Sequence, residues 1–376
     1  MKLRIERDAL AQSLSVIGPS VPARPPVPML AGVLLEAQDE SLRLSGFDYE
    51  VAAQSSIATT IIAEPGSVLV SGRLLTEIIK ALPPRSVDFF DDGTNLTLTC
   101  GQSRFSLPLM PVMDYPQLPS LPEPTGVVDR EEFSTAVAQV AVAAGRDDTV
   151  PFLTGINVEF HDNLIRLVAT DRFRIAIREL NWAPKKAPSG TGLSAVLVPS
   201  RTLAAATKTM TGSQIEISSA SDQSVLGLQS RDQRSTMRLL DPVFAPYERY
   251  LTDERTATAL VDSGPFVEAI KRVSLLADRG SRIEFSFSDG TVHLSAGNDG
   301  QGRAEETLAC DFEGEDLTIA FNPRYLMDGL GAAHAPRIEI AMNGSVRATT
   351  LRPVDDSEAG DQASGRLLYV LMPVRL

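Results

Sequence analysis

The chain of 376 residues repeats one pattern three times, and this repeat constrains its fold more than any other feature. Each third begins with an amphipathic helix whose apolar residues are spaced i, i+4 and i+7, as on one face of an α-helix. These residues are Leu10, Leu14 and Ile17; Phe133, Val137 and Val140; and Phe266, Ile270 and Val273. In each third a second marker follows: an apolar strand, a short turn and an arginine that opens another helix, at Arg73, Arg201 and Arg324.

Alternating apolar and polar residues between the helices predict β-strands with one buried face. Examples are 42–44, 156–160, 283–287 and 338–340, and hairpin turns are predicted at Asp92-Gly93, Asp289-Gly290 and Asn343-Gly344. Each third therefore predicts an α+β domain of two helices packed on antiparallel sheets. We place the domains at 1–120, 125–246 and 252–376, because the proline-rich stretch Tyr115–Gly126 and the stretch Ala245–Thr256 interrupt the patterns.

The chain is acidic overall, with a formal net charge of −13, but its positive charge is concentrated in the predicted helices. The six helical segments (7–20, 73–85, 130–146, 201–208, 265–279 and 324–337) together carry +6, and the rest of the chain carries −19. Two interpretations stay open: Lys and Arg favour solvated helical surfaces in general, or they form a track for the phosphates of nucleic acid. The candidate track residues are Arg24, Arg73, Lys80, Arg201, Lys208, Lys271, Arg272 and Arg324.

The sequence contains no recognisable catalytic or metal-binding motif. The histidines His161, His293 and His334 are isolated, and no phosphate-binding loop or nucleophile elbow opens a helix. Cys100 and Cys310 are far apart, which predicts reduced thiols and no zinc site. We therefore expect no enzyme activity, no cofactor and no metal. Acidic pairs such as Asp147-Asp148 leave one alternative, a hydrolase that uses a metal held by paired carboxylates.

No segment is patterned for export or for a membrane. The N-terminal residues MKLRIERDAL lack the apolar core of a signal peptide. No stretch approaches the roughly 18 uninterrupted apolar residues of a transmembrane helix. We therefore expect no membrane partner, and we expect the chain to work in the cytoplasm.

Three motifs, in order along the chain, resemble the bacterial DNA polymerase III beta subunit, the replicative sliding clamp. They are Ala169-Thr170-Asp171-Arg172-Phe173-Arg174 after a strand, Phe321-Asn322 with Tyr325, and the C-terminal Tyr369–Leu376. The resemblance covers the chain from end to end. It implies a head-to-tail homodimeric ring of DNA-clamp domains that encircles double-stranded DNA without sequence preference and tethers the polymerase. The implied partners are a second copy, a replicative polymerase subunit, a clamp loader and other proteins with a clamp-binding motif.

In that family, partners insert a short peptide into a pocket between the second and third domains. Carried over by motif, the resemblance places these residues in the pocket: Leu153, Thr170, Arg172, Phe173, Arg174, Ile175, Arg249, Tyr250, Asn322, Tyr325, Val370, Met372, Pro373, Val374 and Arg375. Met372 and Pro373 supply adaptable apolar surface, and Arg174 and Arg375 are suited to hold polar groups of the peptide. The other interpretation of the terminal LMPVRL is a last strand packed in a core.

The resemblance also implies a dimer interface and DNA contacts. The interface pairs Phe105 and Leu107 of one chain with Leu275 and Leu276 of the other, apolar residues that a closed monomer would not need there. The implied DNA contacts include Arg24, which is already in the candidate track, and the loop 146–152, which begins with Arg146 and is added to it.

Three places beside the pocket depart from the family pattern. Many clamps carry Gly-His where this chain has Arg172-Phe173, Tyr250 replaces smaller aliphatic residues, and the segment 244–249 (FAPYER) differs from the usual FPDYRR. These departures suggest an alternative, a specialised second clamp copy whose altered pocket serves another polymerase or resists an inhibitor. A monomeric peptide-binding scaffold without a DNA role is a further alternative. The stretch 353–366 predicts a long hairpin.

Overall fold

The computed structural model describes residues 1–38, 40–58, 61–185, 195–219, 224–241, 243–251, 254–277, 282–298, 302–354 and 367–375. The chain divides into two compact units. Unit 1 comprises Met1–Ser134, Ala183–Gly192 and Arg201–Leu239, and unit 2 comprises Thr135–Trp182, Leu193–Ser200 and Leu240–Leu376. Most of the hairpin predicted at 353–366 lies outside the described residues.

The described residues contain six α-helices, two for each repeat of the sequence. They are α1 (Arg7–Ile17), α2 (Gly72–Ala81), α3 (Arg130–Ala141), α4 (Ser200–Thr209), α5 (Ser263–Val273) and α6 (Pro323–Ala333). All nine residues of the predicted apolar stripes are buried, so the three amphipathic helices are confirmed. The helix α2 ends at Ala81 because Leu82 precedes Pro83 and takes an extended backbone with ψ of 148°.

The observed helix ends lower the net charge that the helices carry. Arg85, Arg146 and Arg337 lie beyond the helices to which the sequence pattern assigned them. The six helices within their observed bounds carry a net charge of +3, half the predicted value. The helices are still more positive than the rest of this acidic chain, but the sequence pattern overstated the contrast.

Unit 1 contains two antiparallel sheets. Their strands are β1 (Lys2–Glu6), β2 (Gly32–Gln38), β3 (Ser41–Phe47), β4 (Val51–Ala58), β5 (Ile61–Glu64), β6 (Gly66–Ser71), β7 (Ser86–Asp91), β8 (Asn95–Cys100), β9 (Ser103–Pro108), β10 (Pro124–Asp129), β14 (Ala183–Pro184), β16 (Gln214–Ser219), β17 (Val225–Ser230) and β18 (Gln233–Arg238). The sheet orders are β5-β1-β7-β8-β9 and β14-β10-β16-β17-β18-β4-β3-β2-β6. Because β18 pairs with β4, strands of the first two repeats form one continuous sheet.

Unit 2 also contains two antiparallel sheets. Their strands are β11 (Gly155–Phe160), β12 (Leu164–Thr170), β13 (Arg174–Asn181), β15 (Ala195–Pro199), β19 (Ala257–Asp262), β20 (Ile283–Ser288), β21 (Thr291–Asn298), β22 (Gly302–Ala309), β23 (Asp311–Gly314), β24 (Leu317–Phe321), β25 (Arg337–Met342), β26 (Thr349–Val354) and β27 (Leu368–Leu371). The sheet orders are β15-β11-β12-β13-β27-β26-β25-β19-β23 and β22-β21-β20-β24. The C-terminal strand β27 lies between β13 and β26, so it joins the second and third repeats.

Helices cover the sheets in both units, and the fold is therefore α+β with antiparallel sheets, as predicted. In unit 1, Leu10 of α1 and Leu75 of α2 are fully buried in the same apolar core. In unit 2, the rings of Phe266, Phe285 and Phe321 pack in series, with centroids 5.8 and 5.7 Å apart. Burial of these apolar faces is the main source of stability in such a fold.

The helix α6 lies directly on the last strand. A Cβ atom at Gly329 would stand 2.5 Å from the ring of Tyr369, so this close approach requires glycine. The Tyr369 hydroxyl donates a hydrogen bond to the backbone carbonyl of Tyr325 at 2.8 Å. Both contacts fix the position of the residues that follow β27, which are part of the candidate site.

Candidate functional site

A cavity of about 280 Å³ opens in unit 2 beside the last strand, and we call it the apolar pocket. Its lining residues are Thr170, Arg172, Arg174, Ile175, Ala245, Pro246, Tyr247, Arg249, Tyr250, Val370 and Met372. In the sheet, Ile175 of β13 lies opposite Val370 of β27. Both side chains belong to a buried apolar cluster that also contains Tyr247. The pocket therefore has an apolar base, as sites for small apolar groups usually do.

Tyr247 anchors one wall of the apolar pocket. Its side chain is buried, and its hydroxyl donates a hydrogen bond to Oε1 of Glu159 at 2.9 Å. The same hydroxyl accepts a hydrogen bond from Nη1 of Arg166 at 3.4 Å. Burial raises the pKa of Tyr247 to about 12, so the hydroxyl stays protonated at neutral pH.

The residues after Tyr247 form a short 3₁₀ helix, Glu248–Tyr250, that brings two side chains to the pocket. The Arg249 guanidinium lies over the Tyr250 ring, 4.8 Å from its centroid. Nη2 of Arg249 also donates a hydrogen bond to the Tyr250 hydroxyl at 2.9 Å. This pairing keeps a cation and an aromatic ring at the entrance of the apolar pocket.

A tight turn between β12 and β13 forms the opposite wall. Oδ1 of Asp171 accepts hydrogen bonds from the backbone N–H groups of Phe173 and Arg174, at 3.1 and 3.2 Å. Arg172 sits inside this turn with φ of +80°, in the left-handed region that favours glycine. A glycine at this position would adopt the same backbone conformation without strain.

Arg174 lines both the apolar pocket and its neighbouring cavity, but its charge is paired within the chain, and its contact with a peptide stays a prediction. Its side chain is 3% exposed, and its guanidinium contacts Asp171 at 2.9 Å and Asp328 at 2.6 Å. It also lies 4.5 Å from the centroid of the Tyr325 ring. Burial alone would lower the pKa of Arg174, but its contacts with Tyr369 and the two carboxylates outweigh burial and raise the pKa. The side chain is thus permanently charged and holds the pocket wall together.

A second cavity of about 380 Å³ adjoins the first, and we call it the aromatic cavity. Its lining residues are Ala144, Gly145, Arg146, Asp147, Val150, Leu153, Asp171, Arg172, Phe173, Arg174, Arg324 and Tyr325. Phe173 stacks on Tyr325 with ring centroids 5.9 Å apart, and 56% of the Phe173 residue stays exposed. The two cavities are contiguous because Arg172 and Arg174 line both.

The C-terminal tail closes this site from one side. The strand β27 ends at Leu371, and the backbone N–H of Met372 donates a hydrogen bond to the Phe173 carbonyl at 2.8 Å. The N–H of Val374 donates to the Ala320 carbonyl at 2.8 Å. The terminal motif therefore starts as a core strand and ends at the surface, and its role in peptide binding stays a prediction.

Eleven of the fifteen predicted pocket residues line one of these two cavities. The other four, Asn322, Pro373, Val374 and Arg375, line neither. The Asn322 side chain instead caps α6 by accepting hydrogen bonds from the N–H groups of Arg324 and Tyr325. Peptide binding by the whole set stays a prediction.

The sequence pattern missed part of the apolar pocket. Ala245, Pro246 and Tyr247 line it, although the family resemblance placed their segment only beside the pocket. A signal was present, because the segment 244–250 holds three aromatic residues in a connection that would otherwise be polar. The aromatic residues alone do not place this segment in the pocket wall; the burial of Tyr247 does.

All nine predicted DNA-facing residues are exposed, namely Arg24, Arg73, Lys80, Arg146, Arg201, Lys208, Lys271, Arg272 and Arg324. Three of them form ion pairs inside the chain: Arg73 with Glu77, Lys271 with Glu268, and Arg272 with Glu306. The other six have no ion pair with any residue that the structure describes. Exposed pairs of this kind are weak, so all nine cations can interact with an external anion.

Three of the four predicted interface residues are exposed. Leu275 is 82% exposed, Leu276 38% and Phe105 36%, and the two leucines lie on the 3₁₀ helix Ser274–Leu276. Leu107 is the exception, and its predicted place at the interface is wrong. It is 4% exposed and packs in the core of unit 1, so its apolar character is explained within its own chain.

The described residues contain no cluster of three or more His, Cys, Asp or Glu that could hold a metal ion. Asp147, one of the acidic pair considered for a hydrolase, accepts hydrogen bonds from the N–H and hydroxyl of Thr149, which lower its pKa. Both cysteines are buried free thiols. Within the same part of the chain, no helix is long and apolar enough to cross a membrane.

The three repeats and the site between β13, β27 and α6 define a clamp-type protein, and the chain belongs to the DNA polymerase III beta subunit family. Family models match its N-terminal domain at residues 1–119, its central domain at 127–246 and its C-terminal domain at 248–365. The matches cover almost the entire chain and follow the order of the repeats.

Named relatives agree with this assignment. The chain is 43% identical to a beta sliding clamp of Streptomyces coelicolor, with complete coverage of both chains. It is 39% identical to the beta sliding clamp homolog GriR of Streptomyces muensis, over 100% of this chain and 99% of the relative. Among solved structures, the sliding clamp of Pseudomonas aeruginosa bound to griselimycin has a TM-score of 0.90 at 26% identity, with complete coverage of both chains.

Proposed function

We propose that the chain is a replicative DNA sliding clamp that tethers the polymerase and other partners through its apolar pocket. The observation that carries this proposal is the open apolar pocket beside the C-terminal strand, in a chain that matches the clamp family along its whole length. The chain itself would catalyse nothing, since a clamp acts by holding an enzyme on its template.

The proposed clamp is a head-to-tail homodimeric ring in the cytoplasm. Phe105 of one copy would meet Leu275 and Leu276 of the other, because these exposed apolar residues would otherwise remain in water. A clamp loader would open and close this contact. Once the ring is closed around the duplex, no base contact is needed to keep it there.

The exposed cations would face the DNA backbone. Diffuse attraction between Arg or Lys and phosphates does not depend on sequence, so a ring can slide while it stays attached. The strong negative charge of the whole chain, −13, would discourage DNA from binding to other surfaces.

The test is retention on circular and linear DNA. The clamp, loaded by a clamp loader and ATP, is washed with high salt on a nicked circle and on the same DNA after linearisation. We expect it to stay on the circle and to slide off the linear ends, because a topological link resists salt whereas phosphate binding does not. Equal loss from both DNA forms would contradict the proposal.

A second candidate is a specialised clamp copy whose pocket resists an inhibitor, and two observations favour it. Tyr250 and Phe173 place bulky rings at the pocket where many clamps have smaller or polar residues. The chain is also similar, at 39% identity, to the beta sliding clamp homolog GriR of Streptomyces muensis.

The affinity for griselimycin, measured beside the Streptomyces coelicolor clamp, separates the two candidates. A specialised copy binds the inhibitor much more weakly, and the Tyr250→Val variant regains part of the affinity. Equal affinity in both wild-type clamps would eliminate the second candidate.

A further inference from the structure

A third cavity in unit 2, about 620 Å³, carries an unusual charge for this chain, and we call it the arginine cavity. Its lining residues are Arg249, Tyr250, Glu254, Arg255, Ala341, Asn343, Val346, Arg347, Ala348, Thr350, Arg352 and Met372. Four of these residues are arginines and one is a carboxylate. The whole chain has a net charge of −13, so this concentration of positive charge is a local feature.

The ion pairs inside the arginine cavity are loose. Arg347 lies 3.5 Å from Glu254, and both side chains are more than 65% exposed. Glu339, whose side chain is 25% exposed, lies 3.6 Å from Arg255 and 3.7 Å from Arg352, whose own side chains are 53% and 38% exposed. Arg249 has no ion pair with a described residue. Long pairs between partly exposed side chains contribute little, so an incoming carboxylate can compete for these arginines at small cost.

The arginine cavity adjoins the apolar pocket. Arg249, Tyr250 and Met372 line both cavities. An extended peptide advances about 3.3 Å per residue, so a peptide whose apolar side chain fills the pocket places its neighbouring residues in the arginine cavity. Arg249 stands at the junction, where its stacking on Tyr250 orients it.

We propose that the arginine cavity binds the acidic side chains that flank the apolar anchor of a partner peptide. Guanidinium groups bind carboxylates through paired hydrogen bonds, which favours Asp or Glu over neutral residues. Val346 and Ala348 in the same lining provide apolar contact for the peptide backbone and favour a peptide over a nucleic acid. This inference rests on the proposed peptide-binding function of the apolar pocket.

The experiment compares two fluorescein-labelled decapeptides by anisotropy with the full-length protein. Both carry the same leucine and phenylalanine anchors; one has Asp and Glu on both sides of them, and the other has Asn and Gln. We expect the acidic peptide to bind about fivefold more tightly at low salt. The preference should disappear in the Arg255→Ser/Arg347→Ser double variant, which removes two exposed arginines.

Arg238→Ser is the matched control, because Arg238 is as exposed as Arg347 (66% against 67%) and lies outside this cavity. It should keep the full preference. This inference is overturned if the wild type binds both peptides equally, or if the preference survives in the double variant. Neither outcome affects the proposed function of the apolar pocket. Competition by a short DNA duplex at the same site would assign the cavity to nucleic acid and also overturn it. If neither peptide binds, the proposed recruitment function fails as well.

Discussion

Two arginines on one turn differ completely in their surroundings. Arg174 is buried and contacts Asp171 and Asp328, whereas Arg172 lies two residues earlier, at the junction of two open cavities. Arg174 has its charge satisfied within the chain, and it stabilises the wall of the site. Arg172 keeps an unfavourable backbone conformation and presents its side chain to the opening. The contrast separates residues that build the site from residues that are free to recognise a ligand.

The largest expected effect is on stability, at Arg174. Arg174→Met leaves Asp171 and Asp328 without their buried partner, and we expect the free energy of unfolding to fall by about 3 kcal/mol. Urea denaturation measures this loss. Arg172→Ala is the control and should change stability by less than about 1 kcal/mol. A similar loss in both variants would contradict the distinction between the two arginines.

The next effect is on binding, at Met372. This side chain lines both the apolar pocket and the arginine cavity. Met372→Ala should weaken peptide binding about tenfold, since truncation of a central apolar contact costs about 1–2 kcal/mol. Isothermal titration measures the affinity. Met113, which is 95% exposed in unit 1, supplies the control variant Met113→Ala; an equal loss there would show that the effect is not local.

A smaller effect is expected from the backbone of Arg172. Its φ of +80° disfavours any side chain with a Cβ atom. Arg172→Gly should therefore be more stable than Arg172→Ala by about 0.5–1 kcal/mol, because only the glycine relieves the strain. Both variants lack the Arg172 charge, so a comparison of their thermal unfolding reports the backbone effect. Identical stability would show that the turn is not strained.

The last effect, confined to alkaline solution, is on the pH dependence of stability through Tyr247. Its folded pKa of about 12 is above the usual tyrosine value of 10.0, so the folded state favours the protonated hydroxyl. The stability that this group contributes is present below pH 10 and is lost as the pH rises towards 12. Tyr247→Phe should make the decline in this window shallower, as measured by urea denaturation at several pH values. If stability declines with pH equally steeply in the variant, burial does not raise the pKa of Tyr247.

Local patterns predicted much of the fold. The stripes at Leu10, Phe133 and Phe266 repeat with helical spacing, and burial of an apolar stripe is decided by that spacing alone. The pocket could be located because the motifs at 169–174 and at the C-terminus are short and specific. These signals are all local in the sequence, and for that reason they could be recognised there.

Features that depend on distant residues could not be predicted in this way. The burial of Arg174 depends on Asp328, which is 154 residues away in the chain. The family resemblance placed Leu107 at an interface, and nothing in its neighbourhood in the sequence indicates the core that covers it. The pairing of β18 with β4 and of β13 with β27 likewise joins segments of different repeats. Such contacts are set by tertiary packing, which spacing within one segment does not reveal.

The most direct test of the account is processive DNA synthesis on a primed circular template by the replicative polymerase, with clamp loader, ATP and an excess of trap DNA. Wild-type protein should give long products from single binding events. Met372→Ala should give short products while the clamp itself stays on the circle, because its ring is intact and its pocket is weakened. Short products with wild type, or products of equal length with both proteins, would contradict the claim that this chain is a clamp that recruits through its apolar pocket.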